Sequence, residues 1–383
     1  MANTLTSLAA DIYKAADIVG RELVGIVPSC TINADGSATA AMGDTVRAHF
    51  TRTPAVITNA TPAMVIPEGT DQTVDNKTLT INKQADVQIP WTGEDIKHVN
   101  NGAGYATIYG DQIAQAMRSI TNQIEFDLAV EAKQNASRAF GTAGTTPFGS
   151  NFDEIAEIRQ ILVDNGMPAN DGRSSIVLST TAGTNLRQLA QLNRVNEAGN
   201  DRLLRQGELL NLQGLMLKES AGIRLHTKGT GASYVTSGST APGVDTLALV
   251  TGSGTVLAGD VVTFAADSVN KYVVNVGVAA PGTITLGDPG ARVTIATANA
   301  MTIGNSYTAN VAFHQSALEL AIRAPAMPLG GDAADDVMTV QDPWTGLVFE
   351  IATYKGFRKA MINVGCVYGV KAWKQEYIAI LLG

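Results

Sequence analysis

Residues 111–140 read DQIAQAMRSITNQIEFDLAVEAKQNASRAF, a run without the glycine or proline that disfavours a helix interior. Apolar residues recur in it at spacings of three and four, which places them on one face of an α-helix: Ile113, Met117, Ile120, Ile124 and Leu128. The residues between them predict a polar opposite face: Gln112, Arg118, Asn122, Glu125 and Glu131. Such a helix would be roughly 45 Å long. It is too polar to span a membrane, so it is either the core helix of an ordinary enzyme or a structural strut.

The chain before this helix predicts a shorter helix and a long two-stranded excursion. An apolar stripe with helical spacing ends near Gly25 and Pro28, and it comprises Leu5, Leu8, Ile12, Ala16, Val19 and Leu23. Residues 45–50 and 78–91 alternate between apolar and polar side chains as strands do, and prolines and turn residues separate them. A lone hairpin is only marginally stable in water. The excursion therefore needs a neighbour, and that neighbour can be another subunit.

The chain after the long helix predicts a compact α/β or α+β unit and then a β-rich segment. Ile155, Ile158 and Leu162 form a helical stripe that ends at Gly166. Residues 227–310 lack helical periodicity and alternate short Val/Thr/Ile runs with glycine turns, as small barrels and sandwiches do: 246–250, 261–265, 272–278, 283–286 and 293–296. Strand and helix patterns like those before the β-rich segment resume after residue 310, so this segment is expected to be an inserted domain.

The composition is that of a globular protein with few charges. The chain has 383 residues, 45% hydrophobic and 16% charged, with a net charge of −8. That charge argues against a protein that binds nucleic acid through a broad basic surface. The two cysteines, Cys30 and Cys366, are predicted to be free thiols in a reducing compartment. The first twenty residues lack the pattern of a signal peptide, and no transmembrane span is predicted.

Residue patterns that carry chemistry are few, and the sequence predicts no enzyme, cofactor or metal site. It contains no G-x-S-x-G elbow, H-E-x-x-H or G-x-x-x-x-G-K-[ST] motif. The four histidines are scattered without ligand spacing. Asp332, Asp335 and Asp336 could hold a cation, but they lack the EF-hand pattern, so a solvated acidic loop is the preferred interpretation.

Three stretches resemble major capsid proteins of tailed double-stranded-DNA bacteriophages. Residues 205–220, RQGELLNLQGLMLKES, are similar to the segment that closes the first half of the axial domain in that family. Residues 312–323, AFHQSALELAIR, are similar to the strand by which the family's chain returns after that domain or its insertion. Residues 364–374, VGCVYGVKAWK, are similar to its C-terminal YGVK strand. The β-rich segment resembles the inserted barrel of the short-tailed-phage branch.

The resemblance implies an α+β capsid shell fold with a defined division of the chain. Residues 1–42 would be the N-terminal arm and residues 43–93 the extended E-loop, which lies over a neighbouring subunit. The peripheral domain would comprise 94–150 and 311–345, with the spine helix at 111–140. The axial domain would comprise 151–226 and 346–383, with the inserted β-barrel domain at 227–310.

The resemblance also implies the partners and the location. The chain would assemble with itself into the pentamers and hexamers of an icosahedral shell in the virion, after synthesis in the host bacterial cytoplasm. A scaffolding protein is expected in trans, because the arm helix begins almost at Met1. A portal protein and a decoration protein are further partners of such shells. Specific nucleic-acid binding and membrane binding are not expected.

The candidate contacts between subunits are charged side chains. Six of them belong to a polar loop, where cations are set against acids near the capsomer centre: Arg194, Arg202, Arg205, Glu197, Asp201 and Glu208. Some relatives crosslink a loop lysine to an asparagine, and Lys77 and Lys83 are the lysines available for such chemistry. The main alternative is a β-rich adhesive or carbohydrate-binding protein on an α/β base, and a hydrolase with an unrecognised site is a third hypothesis.

Overall fold

The structure is a computed structural model that describes residues 22–51, 62, 64–66, 74–99, 105–194, 209 and 211–383. The predicted N-terminal helix lies almost wholly outside these residues. The helices of the described chain are α1 (Gly93–Val99), α2 (Tyr105–Gln134), α3 (Asp153–Asp164), α4 (Thr180–Gln188) and α5 (Ala190–Asn193). Short 3-10 turns occur at Val27–Ser29, Gln315–Ala317 and Gln375–Tyr377.

Strands make up more of the described chain than helices, and the predicted α+β class is confirmed. In chain order they are β1 (Thr31–Ala40), β2 (Thr45–Thr51), β3 (Val74–Thr80), β4 (Lys83–Thr92), β5 (Arg138–Phe140), β6 (Ser174–Ser179), β7 (Asn211–Leu212), β8 (Leu215–Ser220), β9 (Leu225–His226), β10 (Val235–Thr236), β11 (Thr246–Val250), β12 (Val261–Phe264), β13 (Asp267–Val276), β14 (Thr283–Leu286), β15 (Met301–Ile303), β16 (Tyr307–His314), β17 (Leu318–Pro325), β18 (Ala334–Gln341), β19 (Val348–Gly356), β20 (Lys359–Ala372) and β21 (Ile378–Leu382).

Helix α2 is the predicted spine helix, but both of its ends differ from the prediction. It begins at Tyr105 and includes Gly110, and it ends at Gln134 rather than at Phe140. The residues that follow form β5, which pairs with β13 and with β21. Both partners come from distant parts of the chain, so the local helical pattern could not predict this change from helix to strand. The five predicted apolar positions are all buried in the main core.

A six-stranded sheet packs on α2. Its connected order is β1-β17-β20-β19-β18, with β4 also paired to β20. The long strand β20 is paired along both edges, since Gly365 lies opposite Glu350 of β19 and opposite Asp86 of β4. Alternate residues of these strands, such as Ile351 and Val364, pack with α2 in one apolar cluster. Within the described residues, the two-stranded excursion is therefore confined to β2 and β3, and β4 belongs to this sheet.

A second, thirteen-stranded sheet carries the rest of the fold. Its centre has the order β5-β21-β16-β6-β8, and α3 and α4 pack on it in a separate apolar cluster. The β-rich segment 227–310 has a third cluster, whose buried members all lie between Tyr234 and Met301. Strand β13 nevertheless pairs with β5 and so joins the segment to the larger sheet. The prediction of an independent inserted domain remains a prediction.

In the β-rich segment 227–310, two predicted strands have the same bounds in the structure, and one predicted strand is wrong. Strands β11 and β14 match the predicted 246–250 and 283–286. The expected strand at 293–296 is absent from the described structure, where Ile295 forms only an isolated bridge to Thr240. Strand β15 was not predicted. Its three residues are too few for a periodic pattern. The strand forms because these residues pair with β12.

Candidate surfaces for self-association

Strands β2 and β3 form a hairpin that no other strand of the described chain joins. They pair antiparallel from Thr45–Thr80 to Thr51–Val74 and constitute a two-stranded sheet of their own. Because cross-strand neighbours share a face, Val46 and Ala48 lie on the side that packs toward the six-stranded sheet. The opposite side of the hairpin faces away from the rest of the chain.

The base of the hairpin is held by a small apolar cluster on the face of the six-stranded sheet that is opposite to α2. Leu79 and Ile81 are buried there against residues of β1, β17 and β20 and against Trp373. The ammonium group of Lys77 donates a hydrogen bond to the carbonyl of Trp373 at 2.7 Å. The hairpin is therefore anchored at one end and extends beyond its anchor.

The YGVK motif at residues 368–371 explains how the hairpin and α2 are held on the two faces of β20. The hydroxyl of Tyr368 donates to Oδ2 of Asp127 on α2 at 2.6 Å. On the other face, a Cβ at Gly369 would lie 2.3 Å from the carbonyl oxygen of Thr80. Real Cβ atoms do not approach so closely, so only glycine lets the hairpin base reach the sheet.

Three consecutive apolar side chains are exposed beyond the hairpin strands. Met64, Val65 and Ile66 have exposed fractions of 104%, 78% and 91%. Single exposed apolar residues are normal on protein surfaces, whereas three in a row are a candidate contact surface for another molecule. The exposure of these three residues was not predicted from their run between Pro62 and Pro67.

A second anchor joins the segment before β1 to the spine helix. The carboxylate of Glu125 accepts hydrogen bonds from the backbone N–H groups of Gly25, Ile26 and Val27 at 2.8, 2.8 and 2.9 Å. Glu125 is only 1% exposed, so the predicted polar face of the helix is covered at this position rather than open to solvent. The spacing of residues identifies a face but not what covers it, and here the covering segment is nearly a hundred residues away in sequence.

Glu22 extends this anchor by one turn of α2. Its carboxylate pairs with the guanidinium group of Arg118 and accepts a hydrogen bond from Asn122 Nδ2 at 2.7 Å. These hydrogen bonds from Arg118 and Asn122 lower the pKa of Glu22 to about 2. The two glutamates together fix the entry of the predicted N-terminal arm onto the spine helix. The predicted polar face of α2 therefore serves to bind this segment.

The predicted contact residues are placed only in part. Arg194 is exposed at the end of α5. The other five predicted contact residues near it in sequence lie outside the described residues: Arg202, Arg205, Glu197, Asp201 and Glu208. Lys83 forms an ion pair with Oδ1 of Asp127 at 2.8 Å, and Lys77 contacts Trp373 as described above. Both lysines thus have partners within their own chain, and a place for either at a contact between subunits remains a prediction.

The titratable groups that could suggest chemistry have structural partners. His226 lies 2.9 Å from Oδ1 of the buried Asp260, and His314 lies 2.7 Å from Oδ2 of Asp171. Among the described residues, no three histidine, cysteine or acidic side chains come together in a way that could hold a metal ion. Cys30 and Cys366 are both free, as predicted, and both are buried. Burial is the main cause that raises the pKa of each thiol.

The acidic stretch near residue 335 is explained by local contacts. Asp332 accepts hydrogen bonds from the Tyr354 hydroxyl at 2.7 Å and from the Ala334 backbone at 2.8 Å. Asp335 forms an ion pair with Lys355 at 2.6 Å. In the part of the chain that the structure describes, no helix has the length and apolar character needed to cross a membrane.

The chain was compared with known protein families, curated proteins and solved structures, and only solved structures are similar to it. No family model and no curated protein matches the sequence. The capsid of cyanophage P-SCSP1u has a TM-score of 0.49 and 11% identity, covering 95% of this chain and 89% of that one. The mature capsid of bacteriophage PhiM1 has a TM-score of 0.45 and 12% identity, covering 92% and 85%.

Other similar solved structures include the capsid of phage XM1, with a TM-score of 0.44, 9% identity and coverage of 96% and 95%. A structure from Mycobacterium phage Che8 is also similar, with a TM-score of 0.47, 15% identity and coverage of 96% and 90%. At these scores and identities the likeness is one of outline along nearly the whole chain. The roles of individual residues follow from this chain's own contacts.

Proposed function

We propose that this chain is the major capsid protein of a tailed bacteriophage, a structural subunit that assembles with its own copies into the icosahedral head shell. The observation that carries the proposal is the projecting hairpin β2–β3. In the described part of the chain its anchor lies at its base, and Met64, Val65 and Ile66 between its strands are exposed. A lone hairpin of this kind is marginally stable, so a neighbouring copy that covers it would complete its folding.

The order of the sequence motifs supports the same proposal. The spine helix, the return strand β17 and the YGVK strand β20 occur in the order that the capsid family shows, and all three meet in one core. We extend the proposal to the predicted division into N-terminal arm, E-loop, peripheral domain, axial domain and inserted domain. The proposal also includes a non-enzymatic role and assembly in the host cytoplasm. It includes three partners: a scaffolding protein, a portal protein and a decoration protein.

No specific observation favours the adhesive or carbohydrate-binding alternative. It rests on the β-rich segment 227–310 alone, and the apolar cluster of that segment is closed by its own residues. A projecting hairpin and a clamped N-terminal segment have no part in that alternative. A capsid subunit needs both, since its contacts with neighbours extend beyond one compact domain.

The first test is assembly of the purified chain. We expect shells, or spirals and polymers when no scaffolding protein is present, in negative-stain electron microscopy. The net charge of −8 predicts that light scattering rises faster as salt increases from very low levels, because salt screens acidic self-repulsion.

The same charge predicts that the free subunit does not shift DNA in a gel at physiological salt. Dispersed monomers under every condition, with or without co-expressed phage assembly proteins, would contradict the proposed function. A subunit that shifts DNA at physiological salt would contradict the charge argument.

Hydrogen exchange tests the role of the hairpin directly. We expect the amide protons of β2 and β3 to be at least about tenfold better protected in assembled shells than in the free subunit, because only the shell covers the hairpin. Strand β20, which is paired along both edges, is the internal control and should be protected similarly in both. Equal protection of β2 and β3 in the two states would show that a neighbour does not complete the hairpin.

A further inference from the structure

A row of side-chain positions crosses the six-stranded sheet on the face opposite to α2. Thr339, Glu350, Gly365 and Asp86 lie opposite one another on β18, β19, β20 and β4. The residues that alternate with them, such as Ile351 and Val364, pack with α2, so this row faces the other way. The base of the hairpin covers the same face farther along β20, at Val367 and Gly369.

Glu350 in this row is a buried carboxylate without a partner. It is only 8% exposed, and within the described residues its side chain has no hydrogen bond or ion pair. Burial raises the pKa of Glu350, and the nearby carboxylates of Asp332 and Asp86 raise it further. A carboxylate in such a place is costly unless a cation or donor reaches it.

Asp86 completes an acidic site beside Glu350. Gly365 separates the two carboxylates, and a Cβ at Gly365 would lie 2.1 Å from Oδ1 of Asp86. Asp86 is held over this glycine by Gln84 Nε2 at 2.6 Å and Asn363 Nδ2 at 3.2 Å. Oδ1 of Asn363 is buried and has no hydrogen-bond partner in the described chain. The site thus presents several oxygen acceptors, and no donor of the described chain reaches Glu350 or Oδ1 of Asn363.

The spacing of these groups selects the kind of cation. No three acidic, histidine or cysteine side chains of the described residues are close enough to share a metal ion. A guanidinium group has five N–H donors spread over a plane, so it can donate to several oxygen acceptors at once. An arginine side chain therefore fits the site better than a metal ion.

The hairpin of a second copy supplies such an arginine. Arg47 on β2 lies opposite Thr78, on the hairpin side that faces away from its own sheet. It is exposed, it has no ion pair or hydrogen bond within the described residues, and its neighbours on that side include no carboxylate: Thr45, His49, Asn76, Thr78 and Thr80. Because no carboxylate of the described chain lies beside Arg47, its guanidinium group is available to an acidic site on another molecule.

We propose that the acidic site formed by Asp86 and Glu350 on one copy binds the Arg47 side chain on the hairpin of a second copy. This contact rests on the proposed function, since it forms only when copies associate. The charged pair would orient the projecting hairpin on the neighbouring copy. It would act together with the exposed apolar residues Met64, Val65 and Ile66. Charge pairs at such positions set register and exclude wrong neighbours more than they add affinity.

Site-directed crosslinking tests the contact. Arg47→Cys and Asp86→Cys are made in separate chains, mixed, assembled and treated with a short bis-maleimide, because arginine and aspartate side chains hold their backbones farther apart than a disulfide allows. Covalent dimers are expected from the mixture and not from either variant alone. Cys30 and Cys366 are buried and should remain unlabelled in the folded chain.

The outcomes separate this contact from the proposed function. Shells of the mixed variants without covalent dimers would overturn the contact and leave the proposed function standing. Failure of the unaltered chain to assemble under any condition would overturn the proposed function and the contact with it.

A charge exchange gives an independent measurement. Arg47→Glu and Asp86→Lys should each slow assembly about tenfold, because each places like charges opposite one another at a repeated contact. The double variant should recover to within about threefold of the unaltered chain, because the pair is restored with reversed signs. Asp245→Lys, the same charge change in the β-rich segment, is the matched control. Additive slowing in the double variant would overturn the pairing.

Discussion

Replacing Glu125 by alanine is expected to lower the free energy of unfolding of the subunit by about 4 kcal/mol, because three buried N–H groups lose their only acceptor and each orphaned group costs about 1–3 kcal/mol. These groups belong to Gly25, Ile26 and Val27 and are bonded at 2.8–2.9 Å. Water cannot replace the carboxylate fully where Glu125 is 1% exposed. Urea denaturation of the free subunit, followed by circular dichroism, measures the change.

Two variants make this result specific to the three hydrogen bonds. Glu125→Gln keeps the shape of the side chain and one acceptor oxygen, so it should lose about half as much free energy of unfolding as alanine does. Gln115→Ala, at an exposed position on the same helix, should stay within about 0.5 kcal/mol of the unaltered chain. If Glu125→Ala is as stable as Gln115→Ala, the three hydrogen bonds to Glu125 contribute little to the free energy of unfolding.

Replacing Gly369 by alanine is expected to cost about 3 kcal/mol and to abolish assembly, because the added methyl group has no space unless backbone moves. Its Cβ would meet the carbonyl oxygen of Thr80 at 2.3 Å and a methyl carbon of Leu79 at 2.9 Å. The six-stranded sheet is paired along both edges of β20, so the part that yields is the hairpin base. Thermal unfolding and the yield of shells in electron microscopy are the two measurements.

Gly356 provides the matched control on the neighbouring strand. A Cβ there would meet only the carbonyl oxygen of Lys359, at an ordinary 3.5 Å. Gly356→Ala should therefore leave stability within about 1 kcal/mol of the unaltered chain and should assemble normally. If Gly369→Ala unfolds no earlier than the control and still forms shells, the close approach of the hairpin is not what requires glycine at position 369.

The elements that could be predicted are those whose pattern is local. The apolar stripe of α2 repeats over several turns, so both its existence and its buried face could be predicted. Strands β11 and β14 could be predicted with their bounds, because glycine turns flank each of them. The free state of Cys30 and Cys366 also agrees with the prediction. None of these features depends on which distant segment lies beside it.

The features that could not be predicted depend on contacts between distant segments. The helical pattern extended α2 to Phe140, but β5 forms there because β13 and β21 arrive to pair with it. Glu125 looked like a surface residue because carboxylates are seldom buried. Its burial requires the three N–H groups of a segment that lies far away in sequence, and no spacing within α2 encodes that segment.

Some features of the candidate surfaces for self-association could be predicted from local sequence, and others could not. The proline-interrupted excursion and the YGVK motif can be read in the chain, and they are enough to predict a projecting loop and a capsid-like subunit. Only the tertiary structure reveals why Gly369 is glycine, and only it sets Glu350 beside Asp86 on one face of the sheet. The physical reason is that hydrophobic periodicity reports which side of an element is buried, whereas steric fit and the pairing of charges depend on atoms brought together by strands far apart in the chain.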